Sequence, residues 1–155
     1  MTSAALDRVD LLLLAELQRN GRLTNADLAE RVHLSPSACL RRVQRLERDG
    51  VIAGYRADVS AERLGLGLQA FVRVQLKHHD SAAVAGFAEL VNGWDEVIAC
   101  HALTGDMDYL LRVVVMDMAH YSRFVLDTLL KHPSVQDCKT SFVLDRVKST
   151  TALPL

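Results

Sequence analysis

The first twenty residues carry an apolar stripe that repeats every three or four positions. Its members are Leu6, Val9, Leu13 and Leu17. At 100° per residue they fall within about 80° of one another, which predicts an amphipathic helix over residues 7–19. Asn20 and Gly21 follow and are expected to end this helix, because both tolerate the positive φ that a helix C-terminus commonly requires.

A second, shorter helix is predicted to begin at Thr24. Thr24 is followed by Asp27 three residues later, which is close to the capping box that bonds free N–H groups at a helix start. Leu28 and Val32 come next at helical spacing. We expect these two side chains to anchor the helix in a core.

A third helix is predicted to run from Ser35-Pro36 to Gly50, since Ser caps a helix, Pro suits its first position and Gly ends it. Its apolar and polar residues separate on a helical wheel. The apolar face, expected to pack on the first two helices, carries Cys39, Leu40, Val43 and Leu46. The opposite face, predicted to be polar, basic and free, carries Ser37, Arg41, Gln44, Arg45 and Arg48.

Residues 51–67 are predicted to connect two domains. Residues 51–59, with Gly54 as a turn, suit either a small two-stranded wing or a strand that leads away. Residues 60–67 are expected to form a hinge. The resulting division is a first domain at 1–59, the hinge at 60–67 and a second domain at 68–155.

The second half of the chain alternates strands and helices. The predicted elements are a strand at Leu68–Leu76, a helix from Ser81 that bears Val84, Phe87, Ala88 and Val91, a strand at Val97–Leu103, a turn at Thr104–Asp108, a strand at Tyr109–Val115, a helix at Met118–Leu130 with Tyr121, Val125 and Leu129 inward, and a strand at Gln136–Leu144. This order is that of the ferredoxin-like βαββαβ arrangement. We therefore predict an α+β protein whose four-stranded antiparallel sheet has both helices on one face.

Charge is distributed unevenly along a chain of net charge −1. Residues 36–48 carry four arginines and one acid, Glu47, whereas residues 61–155 carry nine basic and eleven acidic side chains. Basic charge is thus concentrated on the third helix. Half of the residues are apolar, which is enough for a core and argues against disorder.

Several features bear on the compartment. The start, Met1 to Arg8, lacks a basic n-region, and the apolar run Leu11–Leu14 is far shorter than the roughly 20 residues of a membrane span. Cys39, Cys100 and Cys138 are odd in number and widely spaced, which fits reduced thiols. We expect a cytoplasmic protein without a membrane partner. The Leu11–Leu14 run fits either a generous core or a contact in a dimer.

Two short helices joined by a tight turn, with a basic outer face, are the parts needed to place a helix in the DNA major groove. Arg41, Arg42 and Arg45 are predicted to contact DNA, because the arginine fork bonds guanine or phosphate through two N–H groups. A solvated charged face is the alternative. The predicted contacts in the first turn are Ser35, Ser37 and Ala38. Palindrome recognition would require a homodimer.

Across nearly its whole length the chain resembles the Lrp/AsnC family of transcription factors. The matching N-terminal motifs are Asp7-Arg8-Val9-Asp10 through Asn20-Gly21-Arg22, Asp27-Leu28-Ala29, Leu34-Ser35-Pro36-Ser37, Arg42-Val43-Gln44-Arg45-Leu46-Glu47 and Gly50-Val51-Ile52-Ala53-Gly54-Tyr55. The C-terminal ones are Cys100-His101 and Thr104-Gly105-Asp106-Met107-Asp108-Tyr109-Leu110-Leu111. Two matched halves in the right order are more specific than a helix-turn-helix pattern alone.

The resemblance implies a DNA-binding N-terminal domain and a ferredoxin-like C-terminal domain that dimerises and senses a small effector, usually an amino acid. Dimers of this family often assemble into octamers. The implied effector-binding residues are Thr104, Gly105, Asp106, Met107, Asp108 and Tyr109 in one loop, and Val135, Gln136 and Asp137 near the last strand. We hypothesise that Asp106 or Asp108 holds the effector's ammonium group while loop amides hold its carboxylate. By spacing alone the loop is an ordinary structural turn.

The remaining reactive side chains predict no catalysis. Cys100 and His101 are adjacent on a strand and so point to opposite faces, which excludes both a nucleophile–base pair and half of a metal site. His78-His79 are interpreted as a polar strand end, Cys39 as a core residue, and Cys138 has no assigned role. We expect no metal and no cofactor.

The sequence therefore predicts a DNA-binding transcriptional regulator that recognises a palindromic operator. A small effector, an amino acid by resemblance, would change its dimer–octamer balance and thereby its DNA binding. The alternative is an architectural protein that wraps or bridges DNA without small-molecule control. An enzyme would need converging titratable groups that this sequence does not supply.

Overall fold

The computed structural model describes residues 5–78 and 80–155, so the signal-peptide argument from Met1 to Ala4 and the prediction for His79 lie outside it. The chain forms two compact units, Met1–Asp58 together with Lys148–Leu155, and Val59–Val147. This division differs from the predicted one at both ends of the second domain. The expected hinge belongs to the second unit and contains a short 3-10 helix, Glu62–Leu64. The last eight residues belong to the first.

The described residues of the first unit form three helices: α1 (Arg8–Arg19), α2 (Asn25–Arg31) and α3 (Pro36–Arg48). The predicted caps of the second and third are confirmed, since Thr24 Oγ1 accepts the Asp27 N–H at 3.2 Å and Ser35 Oγ accepts the Ala38 N–H at 3.3 Å. The core of this unit consists of Leu13, Leu28, Ala29, Val32 and Cys39, all buried.

The end of α1 is not the one predicted. Asn20 is extended, with φ −149°, and Gly21 is not in the left-handed region either. The Asn20 N–H still donates to the Glu16 carbonyl at 2.9 Å. The helix therefore ends by turning extended, without a residue of positive φ.

Both helices of the helix-turn-helix end in a left-handed residue. Gly50 follows α3 with φ 73°, as predicted, and His33 follows α2 with φ 55°. In each case two consecutive N–H groups donate to carbonyls of the last helical turn. After α2, the His33 N–H donates to the Glu30 carbonyl and the Leu34 N–H to the Ala29 carbonyl, and the same pattern follows α3. These are Schellman motifs, in which a residue at positive φ satisfies the last helical carbonyls.

Residues 51–59 contain no strand, so neither the strand pair expected for a wing nor the alternative single strand is found there. Tyr55 anchors this segment instead. Its hydroxyl donates to Glu47 Oε1 at 2.9 Å, and its ring lies so close to Gly21 that a Cβ there would be 3.5 Å from Tyr55 Cδ1. Burial, aided by the Glu47 carboxylate, raises the pKa of Tyr55 to about 12. One aromatic contact thus replaces strand pairing.

The second unit has the predicted topology. Its elements are β1 (Leu68–Leu76), α4 (Ser81–Val91), β2 (Val97–Ala102), β3 (Tyr109–Val115), α5 (Met118–Arg123), which continues as a π-helix over Phe124–Leu129, and β4 (Val135–Phe142). The strands are antiparallel in the order β2-β3-β1-β4. The last strand begins one residue earlier than predicted and ends two residues earlier than predicted. The π-helix was not predicted.

One face of the sheet is covered and the other is open. Alternate residues of β1 and β3 are buried, and they pack in one cluster with Phe87 and Val91 of α4 and with Tyr121 and Phe124 of the last helix. Both helices therefore lie on the same face, as predicted. The opposite face keeps Phe71 38% exposed. A one-sided sheet of this kind alternates apolar and polar positions along its strands.

Candidate DNA-binding surface and effector site

The turn between α2 and α3 is held by a side-chain brace. Asn25 Nδ2 donates to the Pro36 carbonyl at 2.8 Å, which joins the first turn of α2 to the first turn of α3. Ser35 Oγ lies 3.3 Å from Ser37 Oγ, and both residues are exposed, whereas Ala38 is half-buried. The predicted first-turn contacts are thus brought together at one helix end, with Ala38 the least accessible of them.

The arginines of α3 line an open concavity of about 360 Å³. Its lining residues are Arg41, Arg42, Gln44, Arg45 and Arg48. Arg41 and Gln44 are exposed, and the Arg48 side chain is 72% exposed with its Nε 3.6 Å from Asp49 Oδ1. This surface is the basic face that the helical wheel predicts, and every residue that lines it is polar.

Arg45 is not free, and in that respect the wheel prediction is wrong. Arg45 Nη2 lies 2.5 Å from Asp10 Oδ2, and Arg42 Nη1 lies 2.8 Å from Asp10 Oδ1 and 2.7 Å from Asp7 Oδ2. A wheel gives the direction of a side chain from its own helix axis only. It does not show that the first turn of α1 provides two carboxylates at that position.

The two aspartates also form the capping box of α1. The Asp10 N–H donates to Asp7 Oδ1 at 2.8 Å, and the Asp7 N–H donates to Asp10 Oδ2 at 3.0 Å. Sequence reasoning used these residues only as part of a family motif. The signal that identifies them is the spacing of three, one helical turn, between two acids at a helix start.

Electrostatics keep both carboxyl groups charged. Burial of Asp10 would raise its pKa, but the Asp7 N–H and the guanidinium groups of Arg42 and Arg45 outweigh burial and lower it. Bonds from the Asp10 N–H and Arg42 likewise lower the pKa of Asp7. Asp10 is fully buried, so its charge depends on these partners.

The two predicted effector segments meet at one end of the sheet. The loop before β3 bonds to the end of β1 through the Asp108 N–H, which donates to the Val74 carbonyl at 2.9 Å. The start of β4 bonds to the same end, where Leu76 pairs with Val135. Because β1 lies between β3 and β4, it holds both segments at neighbouring positions at this end of the sheet.

The residues of these segments differ in accessibility. Met107, Tyr109 and Val135 are buried in the described structure, and Asp108 is half-buried. The exposed members are Thr104, Gly105, Asp106, Gln136 and Asp137. Gly105 has φ 123°, a backbone conformation that favours glycine.

The two candidate aspartates have different surroundings. Asp108 Oδ2 accepts the Leu76 N–H at 2.7 Å, so this carboxylate helps to hold the irregular end of β1. Asp106 is exposed, and within residues 5–78 and 80–155 its side chain has no hydrogen-bond partner. The structure thus separates two residues that the sequence left equivalent.

Cys100 and His101 point to opposite faces, as predicted. Cys100 pairs with Leu111 and packs against the core, whereas His101 pairs with Leu110 on the open face. Cys39 is fully buried, and burial raises its pKa. In the described part of the chain, no three His, Cys, Asp or Glu side chains are grouped to hold a metal ion. No helix there has the length and apolarity to cross a bilayer.

Two family descriptions match the chain in the order of its two units. The winged helix-turn-helix DNA-binding family matches residues 6–53, and the Lrp/AsnC ligand binding domain matches residues 69–153. Together they span the helix-turn-helix and the whole sheet with its helices.

Individual proteins agree with this assignment. The leucine-responsive regulatory protein of Haemophilus influenzae is 43% identical over 97% of this chain and 91% of its own length, and that of Escherichia coli K12 is 41% identical over 96% and 90%. A transcriptional regulator from Neisseria meningitidis, solved in complex with L-Met, superposes with a TM-score of 0.94 at 52% identity, with 97% of each chain covered. The chain therefore belongs to the Lrp/AsnC family of transcriptional regulators, with a winged helix-turn-helix DNA-binding domain followed by a ligand-binding domain.

Proposed function

We propose that this regulator acts as a homodimer that binds a palindromic operator through α3. Its operator affinity rises or falls when an amino acid binds at the end of the sheet where loop 104–109 meets the start of β4. The observation that carries this proposal is the exposed polar face of α3, capped by Ser35 and free of apolar residues over its lining. The three free thiols agree with action in the cytoplasm, at the nucleoid. No catalytic step is required.

Within α3, Arg41 is the strongest candidate for base contact. It is exposed and has no carboxylate partner in the described structure, unlike Arg42 and Arg45. Its fork matches guanine O6 and N7. Ser37 and Gln44 flank it on the same face and supply hydroxyl and amide groups that bond base edges or phosphates.

The test is Arg41→Ala on an operator selected from random duplexes. We expect affinity to fall by about five- to 150-fold, equivalent to about 1–3 kcal/mol. Arg123→Ala, the same truncation at an exposed position of the second unit, is the control and should leave affinity unchanged. Equal affinity of the Arg41 variant and the parent would remove Arg41 from the contact surface.

The effector is proposed to be an amino acid held by the loop 104–109. An ammonium group needs acceptors, and Asp106 offers an exposed carboxylate. A carboxylate needs donors, and the N–H groups of Gly105, Asp106 and Met107 have no acceptor within the described residues. Asp108 is the weaker of the two candidates, because its carboxylate already accepts the Leu76 N–H. The relative solved with L-Met makes methionine the first compound to test.

Thermal shift against all twenty L-amino acids tests the effector. A ligand at about 100 times its Kd adds roughly 2.7 kcal/mol to stability, which raises the midpoint measurably. D-methionine is the matched control, since it reverses the positions of ammonium and side chain. Asp106→Asn should abolish the shift. The absence of any shift would instead favour an architectural protein that bridges DNA without small-molecule control, or an effector that is not an amino acid.

The proposed dimer uses the open face of the sheet. Phe71 of β1 lies beside Arg112 of β3, and Leu110 and Val114 on the same face are half-buried within the single chain. Further assembly to octamers would let an effector act by favouring one assembly state. Phe71→Glu should convert the dimer to monomers in light scattering, while Val147→Glu should not. A dimer that persists with Phe71→Glu would place the interface elsewhere.

A further inference from the structure

We propose that Asp7 and Asp10 are positioning residues of the DNA-reading helix α3, and that they withhold Arg42 and Arg45 from the phosphate backbone. The inference rests on the proposed role of α3 in DNA binding. Nothing in the helix-turn-helix pattern requires it, since that pattern counts all arginines of α3 as available for contact.

The geometry shows why these carboxylates are suited to hold arginines. Each carboxylate accepts one of the reciprocal capping bonds of α1. Its remaining lone pairs accept bonds from the arginines of α3. The capping bonds thus orient both carboxylates in addition to their bonds to the arginines. Arg42 bridges Asp7 and Asp10 with a single nitrogen, Nη1, so both its bonds point back at α1.

Burial makes the arrangement rigid. The Asp10 side chain is fully buried, and the Arg42 and Arg45 side chains are only 27% and 35% exposed. The Arg45 Nε is enclosed without a hydrogen-bond partner in the described structure, which shows how far this guanidinium turns inward. Breaking such a buried ion pair leaves a charge uncompensated. The two arginine side chains therefore do not leave the aspartates for the solvent or for DNA without a cost in free energy.

The charges of this cluster cancel. Two carboxylates and two guanidinium groups sum to zero, so the cluster adds no net attraction for phosphate. Arg41 and Arg48 then carry the positive charge that α3 presents outward. Because phosphate attraction is independent of sequence, holding two arginines back favours discrimination between operator and other DNA.

The test is Asp10→Asn, which keeps the shape of the side chain and removes its charge. The full chain is titrated with a fluorescent mixed-sequence duplex at a series of salt concentrations. Each added phosphate contact steepens the plot of log affinity against log salt by about 0.9. We expect the variant's plot to be steeper by about one to two, and its operator-to-nonspecific affinity ratio to fall.

Two controls separate positioning from fold and from general charge. Glu30→Gln makes the same charge change on an exposed α2 residue and should leave the slope unchanged. Adding Arg45→Gln and Arg42→Gln to Asp10→Asn should return the slope to the parent value. Loss of folded protein lowers the active fraction without steepening the plot, so it does not imitate the expected result.

Asp7→Asn keeps the proposal testable if the buried variant does not fold, since Asp7 is half exposed. An unchanged slope in the folded variants would overturn the inference. A parent protein that binds no duplex DNA at any salt concentration would instead overturn the proposed function of α3, and the two failures are therefore distinct.

Discussion

His33 is the residue whose replacement we expect to stabilise the DNA-binding unit. It sits in the turn between α2 and α3 with φ 55°, where an L-residue costs about 1–2 kcal/mol relative to the right-handed region. Glycine removes that cost, but it loses more conformational entropy on folding than other residues do, which costs about 0.5–1 kcal/mol. The His33 side chain is exposed and has no hydrogen bond in the described structure. His33→Gly should therefore stabilise this unit by about 0.5–1 kcal/mol.

Hydrogen exchange read by mass spectrometry suits this prediction, because it reports each unit of the chain separately. Peptides from α2 and α3 should exchange about two- to fivefold more slowly in His33→Gly, and peptides from the sheet should not change. Gly50→Ala is the matched reverse change in the second Schellman motif, where an added Cβ meets nothing within 4 Å. It should accelerate exchange by a similar factor. Faster exchange in Gly50→Ala with no slowing in His33→Gly would refute the argument for His33.

Three further predictions concern stability. Asp108→Ala should lower the free energy of unfolding of the second unit by about 1.5–3 kcal/mol, because the Leu76 N–H loses a charged acceptor; urea unfolding followed by tryptophan fluorescence measures it, and an unchanged midpoint would deny the carboxylate a structural role. Phe87→Ala should cost about 3–5 kcal/mol by the same titration, since the ring is fully buried, and a loss below 1 kcal/mol would mean the cavity collapses. Asp7 and Asp10 have lowered pKa values, so their stabilisation is present above about pH 4 and is lost as pH falls through the folded-state pKa. The melting temperature of the helical signal should therefore decrease when the pH is lowered below 4, and Asp10→Asn should weaken that pH dependence.

Much of the fold follows from local sequence. Thr24 and Ser35 mark their helix starts because a hydroxyl at that position satisfies free N–H groups whatever surrounds it. The alternation in β1 predicts both its limits and its buried face, since successive side chains of any strand point to opposite sides. The order of elements then restricts the sheet to one topology.

Sequence failed where a contact or a conformation depends on distant residues. Residues 51–59 have the composition of a wing, but the Tyr55–Glu47 bond fixes them without a strand. The continuation of α5 as a π-helix over Phe124–Leu129 has no local signal, although two of its three buried residues, Val125 and Leu129, were predicted to face inward.

The site shows the same division. Periodicity and turn chemistry are local properties, so the sequence alone predicts that α3 carries a basic face and that a Gly- and Asp-containing loop precedes β3. Which members of each set are available depends on how the elements pack. Arg45 is paired because the first turn of α1 presents the buried Asp10 to it, and Asp108 is bonded because β1 ends beside it. Charge and hydrogen bonding act through space, so residues far apart in sequence determine whether an identical side chain is free to bind a ligand.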